Sequence, residues 1–75
     1  MRDEPKVDKE AERRKEEAIA KAKSNGHLLG RWKWDGFGQW RAWCQHRNCF
    51  ASAWISPNEP GVEPYGGNAI SVAKD

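Results

Sequence analysis

Two cysteines and two histidines are the residues of this chain best suited to metal chemistry. Cys44 and Cys49 are separated by four residues, His46 lies between them, and His27 lies upstream. A structural zinc site takes four such ligands in a tetrahedron, and paired cysteines at hairpin tips commonly supply two. The sequence lacks a second, equally clear pair. By residue count we therefore favour small buried cysteines with solvent-exposed histidines over a zinc site.

The same residues do not suggest catalysis. Cys44 and His46 would share a face of a strand, but nothing in the pattern orients them as a nucleophile and its base. A domain of 75 residues also offers little room for a substrate pocket. Gly36 and Gly38 are not a phosphate loop, because no strand–loop–helix context follows them. We expect a protein that is not an enzyme.

Tryptophan and basic residues are concentrated in one stretch, RWKWDGFGQWRAWCQHRNC (residues 31–49). It holds four of the five tryptophans and four basic residues against the single carboxylate of Asp35. Trp and Arg are the preferred hot-spot residues of protein interfaces. Rings interleaved with cations can also stack on bases and contact phosphates. The net charge of +2 and the pI near 8.7 are too mild to indicate nucleic acid by themselves.

The N-terminal third predicts one charged helix. Residues 9–24, KEAERRKEEAIAKAKS, are rich in strong helix formers. Asp8 is a suitable N-cap, and Asn25 with Gly26 is a stop signal. The apolar stripe is thin and consists of Val7, Ala11, Ala18 and Ala22, with Ile19 at its edge. We expect a solvated helix that covers a sheet lightly, with a dedicated interaction helix as the alternative.

Period-two patterns after Gly26 predict an antiparallel sheet. The predicted strands are residues 30–34, 39–44, 50–55 and 68–73, with a turn at 35–38 and a loop at 58–67. The fold class is therefore α+β: one N-terminal charged helix followed by a small three- or four-stranded antiparallel sheet. We divide the chain into a charged helical segment, residues 1–25, and a small tryptophan-rich β domain, residues 26–75.

The length of the turn decides which tryptophans share a face. A four-residue turn pairs Trp34 with Gln39 and Trp32 with Arg41, since side chains alternate along strands and align across them. One face then carries Trp32, Trp34, Arg41 and Trp43, and the other carries Lys33, Trp40, Ala42 and Cys44. A single helix covers only one face, so we expect at least one of Trp32, Trp34 and Trp43 to be exposed. A turn of odd length would exchange the partners.

The order of short motifs resembles the small zinc-ribbon-like proteins of actinobacteria and their phages. The motifs are GHLLGRW, GQWRAWC, a second cysteine, a strand ending in ISP, and YGGNAI, within residues 26–73. The matching residues are Gly26, His27, Trp32, Trp40, Ala42, Cys44, Cys49, Pro57, Gly67 and Ala69. The resemblance implies a ribbon-like fold and a phage-type origin.

This chain departs from that pattern at its metal-binding positions. The second cysteine follows the first by five residues instead of three, Phe50 stands in place of a glycine, and Ala73 occupies the region of the closing cysteine. A complete zinc site would need His46 or Asp75 as a substitute ligand. We therefore expect a degenerate ribbon without a cofactor, in which aromatic packing replaces metal. Zinc bound by Cys44, Cys49, His46 and His27 is the alternative.

These observations favour a phage-type protein that binds a host protein in a regulatory or host-takeover role. The expected binding residues are Trp32, Trp34, Arg41, Trp43, Arg31, Lys33 and Arg47. The alternative is a nucleic-acid-binding or transcription-associated module, with the four basic residues on phosphates and tryptophans stacked on bases. The sequence has no apolar run that could span a membrane, and its first twenty residues are too charged for a signal peptide. We expect a cytoplasmic protein without a membrane partner.

Overall fold

The first element is the predicted charged helix. In the computed structural model, which describes residues 1–72, helix α1 spans Lys9–Ser24. The carboxylate of Asp8 accepts the backbone N–H of Ala11 at 2.8 Å and so caps the helix. Asn25 ends it, and Gly26 follows with a φ of +86°. The helix and both of its end signals are confirmed.

The rest of the chain builds a four-stranded antiparallel sheet in the order β1-β2-β3-β4. Strand β1 is Lys33–Trp34, β2 is Trp40–Trp43, β3 is Ser52–Ile55 and β4 is Tyr65–Gly66. A helix followed by an antiparallel sheet confirms the predicted α+β class.

The fourth strand lies earlier in the chain than predicted. Asn68–Ser71 forms a short helix, α2, instead of a strand, and Ala73 lies outside the described residues. Gly67 turns the chain out of the sheet with a φ of +113°, and a Cβ there would lie 2.5 Å from the Ser52 carbonyl oxygen. The turn buries Ala69, which joins the core. The period-two pattern of NAISVA therefore reflects one buried contact and not a strand.

The hairpin turn contains five residues, 35–39, and this overturns the predicted pairing. The Asp35 carboxylate accepts the N–H groups of Phe37 and Gln39, and the Asp35 N–H donates to the Gln39 carbonyl. Trp34 consequently pairs with Trp40, and Lys33 pairs with Arg41. Every residue of β1 is opposite the residue one position beyond the predicted partner. Side chains alternate between the two faces along a strand, so the odd-length turn moves the β1 side chains to the opposite face from the one predicted relative to β2.

The inner face of the sheet is covered by α1. Two groups of buried residues meet there: Ala22, Cys44, Ala51, Ala53 and Ala69 in one, and Ala11, Ala18, Trp40 and Ile55 in the other. Partly buried Trp32 packs against both, and Trp34 packs edge-on against Trp40 with ring centroids 5.2 Å apart. The predicted alanine stripe is buried, whereas Ile19 is exposed. Small side chains let the helix approach closely, and Trp40 fills the space beneath it.

Helix α1 is also tied to the sheet by polar contacts. The Arg14 guanidinium donates to the carbonyl oxygens of Ser56 and Pro57 at 3.0 and 2.7 Å.

Within residues 1–72, no helix has the length and apolarity needed to cross a membrane.

The alanine contact predicts that enlarging Ala18 destabilises the domain. Ala18 is fully buried, so Ala18→Leu overpacks the interface between α1 and the sheet and should cost about 1–3 kcal/mol. Chemical denaturation measures this loss. Ala20→Leu, two residues on at an exposed position, is the matched control and should change stability little. Equal stability of the two variants would show that α1 does not pack through its alanine stripe.

Candidate metal centre and outer sheet face

Three of the four predicted metal ligands converge at one end of the sheet. The ligand atoms of His27, Cys44 and Cys49 all lie within 4.8 Å of one another. His27 follows α1, Cys44 follows β2, and Cys49 lies just before β3. His27 and Cys44 are only 5% and 7% exposed. The expectation of a solvent-exposed histidine is therefore wrong for His27.

His27 is oriented with one ring nitrogen toward the cysteines. Its Nε2 lies 2.9 Å from the carbonyl oxygen of Val72. A carbonyl oxygen only accepts, so Nε2 carries the proton and Nδ1 keeps its lone pair. Nδ1 in turn lies 3.4 Å from the sulfur of Cys49. A backbone acceptor that fixes the tautomer in this way is typical of metal-ligating histidines.

The backbone around Cys44 favours a thiolate. Burial raises the pKa of the Cys44 thiol, but backbone N–H groups of His46 and Leu28 donate to the sulfur, and Cys49 and His27 lie against it. The two backbone hydrogen bonds are the largest of the effects that lower the pKa of Cys44, which is about 6. The thiolate is the form that binds metal. The environment of Cys44 is therefore suited to a metal ligand.

A tight turn explains how the wide cysteine spacing closes. The Cys49 N–H donates to the His46 carbonyl at 3.2 Å, and Asn48 adopts a left-handed conformation with a φ of +62°. This turn returns Cys49 toward Cys44. It also places His46 Nδ1 3.4 Å from the Cys44 sulfur, although His46 is not part of the group of three. Asp75, the other substitute suggested by the sequence, lies outside the described residues.

The second candidate site is the sheet face opposite α1, here called the outer face. Its strand residues are Lys33, Arg41, Trp43, Ser52, Trp54 and Gly66. Trp43 is 46% exposed, which confirms that at least one of the three tryptophans named from the sequence is open to solvent.

The other predicted binding residues are divided between different surroundings. Trp32 and Trp34 are partly buried against the inner core, and the indole N–H of Trp34 donates to the Arg2 carbonyl oxygen at 2.8 Å. Arg31 and Arg47 are exposed outside the strands. The structure thus corrects the predicted face: Arg41 and Trp43 lie with Lys33, and not with Trp32 and Trp34.

Trp54 is the outer-face residue that the sequence analysis missed. It pairs with Arg41 on one side and with Gly66 on the other. A Cβ at Gly66 would lie 2.6 Å from the Trp54 ring, so the indole rests on the Gly66 backbone. Alternation along β3, with Ala53 and Ile55 buried, was the signal that could have placed Trp54 outside.

Comparison with known proteins returned no family model, no curated protein and no solved structure that matches this chain.

The contact between Trp54 and Gly66 predicts a coupled pair of substitutions. Gly66→Ala forces the indole to move and should cost about 1–3 kcal/mol of stability. In a Trp54→Ala background the same change should cost much less, because the ring that it would meet is gone. Unfolding measurements on the four variants of this double-mutant cycle give the coupling energy. Strictly additive effects would mean that the indole does not rest on Gly66.

Proposed function

We propose that this protein is a non-enzymatic module, stabilised by zinc, that binds a protein partner through its outer sheet face. One observation carries the proposal: Trp43 stays exposed beside Arg41 and Trp54 on a sheet whose opposite face is filled by helix α1. Trp and Arg contribute most often to binding hot spots. The resemblance to proteins of actinobacteria and their phages extends this proposal to a host protein and a regulatory or host-takeover role.

Zinc is the metal that the donor set fits best. Two thiols and a buried imidazole are typical zinc ligands, and the fixed tautomer of His27 and the lowered pKa of Cys44 support metal ligation. His46 is the proposed fourth ligand, since its Nδ1 already contacts the Cys44 sulfur. On these grounds we now prefer a zinc site to the domain without a cofactor that the sequence alone favoured. In such a small domain, a metal adds stability that the core alone supplies only in part.

The zinc proposal predicts a metal-dependent melting temperature. Free zinc at a hundred times its Kd adds about 2.7 kcal/mol to the free energy of unfolding, which raises the Tm of a domain this size by about 10 °C or more. Chelator-treated protein should therefore melt earlier and recover when zinc is added back.

Two variants make this test specific. Cys49→Ser should abolish the response to zinc, whereas Ser52→Ala, a nearby outer-face change that touches no ligand, should retain it. If the Tm of the wild-type protein ignores both chelator and zinc, the cysteines and His27 do not form a zinc site.

The binding proposal predicts that capture of a partner depends on Trp43. The tagged protein should retain a partner protein from a cell lysate, and Trp43→Ala should lose it. Truncating a hot-spot side chain to alanine costs at least about 2 kcal/mol of binding free energy. Phe37→Ala is the matched control: Phe37 is also an exposed aromatic residue but lies in the hairpin turn. Nuclease treatment should leave capture unchanged.

Two outcomes would contradict protein binding. Equal capture by the wild-type protein and by Trp43→Ala would remove the outer face from the interface. Release of the captured material by nuclease, with a steep loss of affinity as salt rises, would instead favour the nucleic-acid alternative.

A further inference from the structure

The outer face has its charges and its rings side by side. Lys33, Arg41, Trp54 and Gly66 form one row across the four strands, because each pairs with the next. Trp43 and Ser52 form the adjacent row on β2 and β3. The cations therefore lie toward the β1 edge, and the indoles lie at the centre of the sheet.

No carboxylate stands among these outer-face strand residues. The acidic residues of α1 lie on the opposite side of the sheet, where that helix packs. Asp35 is the carboxylate in the field of Arg41, but it accepts the turn N–H groups of Phe37 and Gln39. The Arg41 guanidinium donates to the Gln39 side-chain oxygen at 3.4 Å. Lys33 and Arg41 are thus available for negative charges on a partner.

We infer that the segment seated on the outer face is an acidic amphipathic helix of the partner protein. This inference rests on the proposed function and names the chemistry of the partner. A helix carries an apolar stripe with charged residues directly beside it, so leucine-like side chains can cover Trp43 and Trp54 while neighbouring carboxylates reach Lys33 and Arg41.

Dimensions and charge support the same occupant. Adjacent strands lie about 4.8 Å apart, so the cations and the indoles are at most two strand spacings apart, with Arg41 and Trp43 on the same strand. That separation fits within the width of one helix, about 10 Å with side chains. Two strand cations would neutralise few phosphates, so a nucleic acid would bind this face with a small electrostatic gain. Charge complementarity with an acidic helix needs only one or two carboxylates.

Synthetic peptides test the inference on the full chain in the presence of zinc. The probe is a helical peptide with leucines at positions i, i+3, i+4 and i+7 and flanking glutamates. Matched peptides replace either every glutamate by lysine or every leucine by serine, and an oligothymidine is a separate probe. The five indole N–H signals in a ¹⁵N spectrum report each tryptophan separately. The acidic leucine peptide should shift the signals of Trp43 and Trp54 saturably and leave Trp40 unchanged.

Charge reversal sharpens the test. Lys33→Glu and Arg41→Glu should each weaken binding of the acidic peptide about tenfold or more and strengthen binding of the lysine peptide. An unchanged Trp40 signal shows that each variant is folded. Because Lys33 is exposed, Lys33→Glu keeps the test valid if Arg41→Glu unfolds.

Several results would overturn the inference. One is binding of the lysine peptide or the serine peptide as tight as that of the acidic leucine peptide. Another is oligothymidine producing the same shifts more strongly. Shifts that appear on concentrating the protein alone would assign the face to a second copy of the chain. If no peptide binds while Trp43-dependent capture persists, the acidic helix is wrong and protein binding stands. If capture itself is independent of Trp43, the proposed function fails.

Discussion

The five-residue turn between β1 and β2 is the constraint on which the outer face and the tryptophan core depend. The Asp35 carboxylate holds the turn by accepting two backbone N–H groups, and this sets Trp34 opposite Trp40. A shift of one residue would move each β1 side chain to the other face relative to β2. The turn therefore decides that Trp32 and Trp34 join the core. It also groups Lys33 with Arg41 and Trp43 on the outer face.

The same alternation separates stability from binding in adjacent residues. Trp43 faces outward and is exposed, while Cys44 faces the inner core and is buried. The proposed zinc ligands thus belong to the packed side of the sheet, next to Ala22 and Ala51. A partner on the outer face would not need to touch them. A metal at this end would hold the end of α1 and the start of β3 against β2, and so would fix the sheet that presents Trp43 and Trp54.

The distribution of tryptophans also explains how so short a chain forms a core. The helix contributes mainly alanines to the interface, which bury little area each. Large rings on the opposing sheet compensate, with Trp40 almost fully buried and Trp32 packed against both groups of core residues. Lys15 lies over the Trp40 ring, with its Nζ 5.2 Å from the centroid, and so covers that ring on the helix side. The two tryptophans of the outer face lie outside both groups of core residues.

Local signals in the sequence were sufficient for the helix, its caps and the antiparallel class of the sheet. Asp8, the alanine stripe and the Asn25–Gly26 stop act through neighbours in the chain, so their effects can be predicted without the rest of the fold. The residues able to bind metal were also visible by type. Only the tertiary structure decided that His27 meets Cys44 and Cys49, because the contact joins the end of a helix to two positions beyond a hairpin. The tertiary structure also decided the register, since the side-chain hydrogen bonds of Asp35 hold a turn one residue longer than predicted. Residues 68–71 form a helix instead of a strand because Gly67 packs against β3. Which β1 side chains share a face with Arg41 and Trp43 depends on that register, so this grouping could be assigned only from the folded chain.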